Sequence, residues 1–283
     1  MTSWLQVPRK TKSEDGPRVR NYFLRLEDGE FAGSFTALFN ASMFSLINGR
    51  ELYVYDNANP ISPTYSLLKE TFEPAPGIRY VSEMMSGVTV LTGSSDPRYA
   101  GFLAQVPKGT LRSNAAPVLR WNATMLGSIT EIVKAQGLPS TFDVGLHIRS
   151  RNRMDVVRPP AITSYVTAVE DVVRAQKLKE PTVFVLASEP ADFFEFQKAA
   201  PKTWKLFQVA PASNTIRGSN AGSFNRQSVA TRLNAYREHL TELYCMQQST
   251  TIIGSLASDL GKFLYLTAKT ADTFKSLDVQ TYS

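Results

Sequence analysis

A single cysteine, Cys245, stands in the whole chain, so no disulfide can close within it and no cysteine-based zinc site can form. That scarcity fits a reducing compartment. Histidine is almost as rare: His147 and His239 are the only two, which excludes a multi-histidine metal centre. No apolar run reaches the length of a membrane span, and the opening MTSWLQVPRKTKSEDGPRVR lacks the apolar core of a signal peptide. A soluble, cytoplasmic protein is therefore expected. Runs of Lys and Arg interleaved with aromatics are missing too, so a nucleic-acid groove is not expected. Neither G-x-G-x-x-G nor a P-loop occurs. No G-x-S-x-G elbow occurs and Cys245 has no evident activating base, which leaves a hydrolase little support. The chain also has no D-x-D, a common metal-bridging pair of carboxylates.

What is present is an ordinary globular balance, 43% hydrophobic and 20% charged, over 283 residues, enough for two compact lobes. The net charge is +6, and its excess sits mainly in the second half: residues 1–140 hold 14 basic and 12 acidic side chains, residues 141–283 hold 17 and 13. That modest surplus suits an anionic small ligand. Periodicity predicts strands at 20–26, 51–55 and 88–92, with helices at 35–47, 65–72 and 118–136; Gly33 and Ser34 form the loop ahead of the first helix. After the GLPST loop at 137–141, strands at 143–148, 182–187, 205–209 and 250–254 alternate with helices at 162–176, 190–200, 229–248 and 258–268. Such alternation predicts an α/β protein with mostly parallel sheets and right-handed crossovers. It divides the chain into domains at 1–138 and 139–283.

Three segments hold candidate chemistry. In VGLHIRSRNRMDVVRPP, residues 144–160, an apolar strand runs into Arg149, Arg151, Arg153 and Arg158, with Asp155 among them. Ligands of open α/β sheets bind beyond the carboxyl ends of strands. Arginine's planar, permanently charged fork matches a phosphate there; the plainer alternative is a solvated basic loop. In TTIIGSLASDLGKFLYL, residues 250–266, Ser255, Ser258 and backbone N–H groups open a helix, either as an anion site or as an ordinary cap. In FVLASEPADFFEF, residues 184–196, Ser188 is expected to cap the following helix, with Glu189 beside it. His239 and Glu242 share a helix face, as an exposed pair in the simplest case, and Cys245 is expected to behave as a small buried hydrophobe.

The order of these pieces resembles the α1,6-fucosyltransferase and protein O-fucosyltransferase superfamily. His147-Ile148-Arg149 is similar to its H-x-R segment, Ala187-Ser188-Glu189-Pro190 to its T/S-D-D-P turn, and Ser255-Leu256-Ala257-Ser258 to its T-F-S-S helix start. Glu242 falls where the family holds the donor's nucleoside, and Phe31-Ala32-Gly33 resembles its glycine-containing loop. The resemblance implies a GT-B-like fold of two Rossmann-like domains with a cleft between them, the second binding a nucleotide sugar. It implies an inverting, metal-independent transfer to a glycan or glycoprotein hydroxyl, with no cofactor beyond the donor. His147, Arg149, Ser188, Glu242, Ser255 and Ser258 are then donor-binding, and Gly33 and Ser34 belong to an acceptor or donor loop. Two departures bear on the chemistry. Ser150 stands where the α1,6 type has a second arginine, and the spacing of the family's catalytic glutamate lands on Val157, two residues past Asp155. Asp155 and Arg149 are therefore the catalytic candidates. The compact length is also similar to that of cytosolic glycosyltransferases of large algal viruses, which adds a viral source and UDP-xylose beside GDP-fucose as donor. A non-catalytic nucleotide- or glycan-binding module is the alternative of a different class.

Overall fold

The computed structural model describes residues 21–26, 31–56, 61, 66–83, 85–93, 96–99, 106, 108–149, 158–211, 224 and 226–278. They form two compact units, one running to Met125 and the other beginning at Leu126. This division lies upstream of the GLPST loop.

The first unit contains β1 (Tyr22–Arg25), α1 (Phe31–Ile47), β2 (Leu52–Tyr55), α2 (Leu67–Thr71), β3 (Ile78–Tyr80), β4 (Thr89–Thr92) and α3 (Lys108–Val118). Its four strands are parallel in the order β3-β2-β1-β4, with Tyr22 level with both Leu52 and Thr89. Phe23 and Leu24 point to opposite faces and both are buried, as in a parallel sheet covered on each side. Helix α1 is buried nearly all round, its Phe35, Leu38 and Phe39 in the core and its Thr36 and Asn40 buried with them. Gly33 and Ser34, expected in a loop, instead lie in the first turn of α1. A glycine is tolerated in a first turn when packing holds the turn, and Ser34 is buried there.

The helix expected over 118–136 is two helices, α3 and α4 (Ala123–Ala135). Between them Trp121 bridges to Phe72, ring on ring at 5.6 Å, and Asn122 N–H donates to Thr71 O at 2.8 Å. Asn122 then caps α4 by accepting from Thr124 N at 2.9 Å. Pro117 sits in the last turn of α3, where the helix is about to end.

The second unit continues with β5 (Phe142–Ile148), α5 (Ile162–Gln176), β6 (Thr182–Ala187), α6 (Pro190–Ala199), β7 (Lys205–Phe207), α7 (Val229–Gln247), β8 (Ser249–Gly254), α8 (Asp259–Thr267), a 3-10 turn at Ala271–Thr273 and β9 (Phe274–Ser276). Its sheet is parallel throughout in the order β7-β6-β5-β8-β9. Val144, Leu146, Ile148, Val183, Val185 and Ile253 meet Tyr165, Val169 and Val172 of α5 and Phe193 and Phe196 of α6. The spacing of Ile162, Tyr165, Val169 and Val172 makes a single helical stripe, which explains why α5 lies on the sheet. Gly145 has to be glycine because a Cβ there would stand 2.6 Å from Ser249 Oγ of the neighbouring strand. The chain enters this sheet at its centre, runs outward through β6 and β7, then crosses to β8. The strand order thus reverses between β5 and β8, and their carboxyl ends flank the point where open α/β sheets bind ligands. No described helix is long and apolar enough to cross a membrane.

Candidate functional site

At the carboxyl end of β5, His147 is 1% and Arg149 2% exposed. Pairing of Leu146 with Ile253 continues so that His147 lies beside Gly254, where a Cβ would approach the His147 Cβ to 3.7 Å and the Phe274 ring to 3.3 Å. Burial pushes the imidazole pKa down to about 3; the charges of Arg149 and His239 add to that, and Asp278 opposes it. His147 is therefore neutral at physiological pH. Its Nδ1 is buried with no hydrogen-bond partner among the described residues. A buried polar atom of this kind costs about 1–3 kcal/mol until something pairs with it. Arg149 N–H donates to the Tyr165 hydroxyl at 3.2 Å, which ties the strand end to α5. Burial also raises the Tyr165 phenol to about 12, so it stays protonated.

The neutral His147 makes stability depend on pH. Between pH 6.5 and about 3 the unfolded chain binds a proton at His147 that the folded chain does not, so stability present above pH 6.5 is lost as pH falls through this window. Each pH unit removes about 1.4 kcal/mol. Urea titrations at several pH values should show the stability gap between the parent and His147→Asn closing with acidification. A gap that stays constant with pH would contradict a buried neutral imidazole.

The turn from β8 into α8 follows the neighbouring strand. Ser255 is fully buried and donates to the carboxylate of Asp278. Leu256 N–H reaches Asp278 Oδ1 at 3.1 Å and Ser276 Oγ at 3.2 Å. Ser258 caps α8 by accepting from Gly261 N at 3.0 Å, and its own proton goes to Ser255 O at 3.1 Å. Gly261 admits no side chain, because a Cβ would fall 1.7 Å from Ser255 O. A serine hydroxyl carries one proton, and both serines direct theirs at protein acceptors. Both hydroxyls, and the Leu256 N–H with them, are engaged within the protein, so an anion at this turn has to compete for them. Asp278 and Gly261 were not among the sequence candidates; the glycine three residues after a capping serine was the one available signal.

Ser188 does not cap α6. The cap residue is Glu189, which makes no side-chain capping bond, and Pro190 pre-sets the first turn. Ser188 instead donates its N–H to Ile148 O at 3.0 Å, extending the β5–β6 pairing to the edge where His147 and Arg149 lie. On α7, His239 Nδ1 lies 3.2 Å from Glu242 Oε2, with side chains 25% and 10% exposed, so the pair is largely buried rather than solvated. Helix α7 packs on β5, and the charge of His239 contributes to the lowering of the His147 pKa. Cys245 is buried as expected, and burial, then the Glu242 carboxylate, push its thiol up to about 12. Gly33 and Ser34 belong to the first unit, in the first turn of α1. Arg158 is exposed; Arg151, Arg153 and Asp155 lie outside the described residues.

No protein-family model matches this chain. No curated protein matches it by sequence. Solved structures do match by fold. The fucosyltransferase NodZ from Bradyrhizobium aligns with a TM-score of 0.56 at 11% identity, over 89% of this chain and 93% of NodZ. NodZ α1,6-fucosyltransferase soaked with GDP-fucose gives 0.52 at 13% identity, over 88% and 93%. Arabidopsis thaliana FUT1 in complex with GDP gives 0.53 at 12% identity, over 93% of this chain and 70% of that one. The likeness is one of fold: this chain shares the parallel-sheet α/β architecture of these GT-B proteins, as the order of its motifs implied.

Proposed function

We propose that this chain is a glycosyltransferase that moves a sugar from a nucleotide-diphosphate donor of the GDP-fucose kind to a hydroxyl of a glycan or glycoprotein. The observation that carries this is that buried His147 and Arg149 and the Ser255–Ser258 turn lie at the carboxyl ends of neighbouring strands, at the strand-order reversal of the second sheet. Its fold is shared with a fucosyltransferase soaked with GDP-fucose and with FUT1 in complex with GDP. On this reading residues 139–283 hold the donor and residues 1–138 the acceptor side, with Gly33 and Ser34 contributing from the first turn of α1. Arg149 neutralises the β-phosphate as it leaves, where fixed charge is most effective. Neutral His147 offers a ring nitrogen to the donor, Glu242 accepts from its nucleoside, and Ser188, Leu256 N–H and Ser258 complete the edge. Asp155 takes the proton of the acceptor hydroxyl as its oxygen bonds to the anomeric carbon opposite the breaking bond to the diphosphate, and this backside attack inverts the centre. The donor is the only small molecule required. Arginine does the charge-neutralising work that a metal does elsewhere, consistent with a chain lacking D-x-D and holding two histidines.

Release of free nucleoside diphosphate from a panel of GDP- and UDP-sugars, UDP-xylose included, with and without excess EDTA, tests this. Turnover of one donor, undiminished by EDTA, is the expected result. A strict Mn²⁺ or Mg²⁺ requirement would overturn the metal-free chemistry. Tight donor binding with no release from any sugar would make the chain a binding module instead.

A further inference from the structure

Asp278 follows β9, and its carboxylate gathers the donors of the β8–α8 turn. Ser255 Oγ donates to Oδ2; Leu256 N–H at 3.1 Å and Ser276 Oγ at 2.9 Å donate to Oδ1. Leu277 N–H bonds Gly254 O at 2.9 Å, so the main chain next to Asp278 is fastened to the end of β8. Two of the carboxylate's donors therefore belong to the turn at the strand-order reversal, the position where an α/β sheet meets an anionic ligand. Buried His147, whose Nδ1 has no partner among the described residues, and buried Arg149 stand at the same edge. Asp278 is close enough to both His147 and Tyr165 to act on their charge.

We propose that Asp278 is a specificity-determining residue of the phosphate site: its carboxylate takes the hydrogen bonds of Ser255 and Leu256 that a phosphate oxygen would take, so a nucleoside diphosphate has to displace it. The proposal rests on the reading of this turn as part of the donor site. Carboxylate and phosphate oxygens are equivalent acceptors, and two anions cannot share one pair of donors without repulsion. The penalty falls on the diphosphate and spares an uncharged nucleoside. It also favours departure of the diphosphate product, because the carboxylate is tethered where it can take the donors back.

Calorimetric titration of the full chain and Asp278→Asn with GDP, UDP, inorganic pyrophosphate, guanosine and uridine tests it. Asparagine preserves the shape, removes the charge and frees the Ser255 proton for an incoming oxygen. Diphosphate and pyrophosphate should bind Asp278→Asn more tightly, on the order of tenfold, with nucleoside binding unchanged. Unchanged or weaker diphosphate binding by a variant of normal melting temperature, while the parent binds, would overturn the competition and leave the donor-site reading standing. If neither protein binds any diphosphate or pyrophosphate, both fall. Ser276→Ala, which loosens the tether and keeps the charge, should shift diphosphate affinity in the same direction; weaker binding by that variant would count against the proposal even if Asp278→Asn fails to fold.

Discussion

Arg149→Ala is expected to abolish sugar transfer and to weaken nucleoside diphosphate binding by about 2–4 kcal/mol, a factor of roughly 30 to 1,000, while nucleoside alone binds nearly as before. The side chain stands just past the end of the central strand β5, on the flank of the strand-order reversal, and is almost fully buried. A buried guanidinium acts at low effective dielectric, where its attraction for a phosphate is several times that of a surface charge. Its backbone N–H is held by Tyr165 of α5, so the strand end that carries the side chain is fixed before any ligand arrives. Removing a buried arginine also loosens packing, and a melting curve measures that share. The comparison of diphosphate with nucleoside is insensitive to it, because a general loss of folded protein weakens both alike. Arg149→Lys keeps the charge and loses the planar fork, so it should fall between the parent and alanine. Equal diphosphate affinity for the parent and Arg149→Ala would sink the assignment.

Sequence and structure agree best where one periodicity governs a whole element. The stripe Ile162, Tyr165, Val169, Val172 and the run Thr182–Ala187 have the bounds expected of them, because each buries a continuous apolar face against the same sheet. Two of the three-residue strands escaped: β3 and β9 carry exposed Arg79 and Lys275 at their centres, and only pairing with a neighbour makes them strands. The break between α3 and α4 is likewise set from far back in the chain, by Phe72 stacking on Trp121, where local amphipathicity reads as one helix. The same limit governed the site. His147, Arg149, Ser255 and Ser258 each end a strand or start a helix, and such positions are readable one by one. Asp278 enters only because β9 pairs with β8, and no local pattern announces a carboxylate that arrives by strand pairing.

Asp155→Asn is expected to lower kcat by about two to four orders of magnitude and to leave donor affinity nearly intact. An inverting transfer needs a group to accept the hydroxyl proton on the face opposite the leaving phosphate. Several described carboxylates already have partners. Asp278 receives the donors of the β8–α8 turn, and Glu242 pairs with His239. In the first unit Asp56 accepts from Ser66 Oγ at 2.8 Å and Leu68 N at 2.7 Å, which caps α2, and burial holds its pKa above the ordinary carboxylate value. Asp155 is the only acidic residue between Asp143 and Glu170, on the connection that leads from the arginine end of β5 into α5. The competing role is an ion pair that orders Arg151, Arg153 or Arg158. The two roles separate in kinetics. A base acts only in the transition state, so its loss appears in kcat with binding preserved; an arginine-ordering carboxylate holds the site together, so its loss weakens the donor as well. If kcat stays near normal, the proton goes elsewhere, to Asp56 or another acidic residue or to the departing phosphate itself.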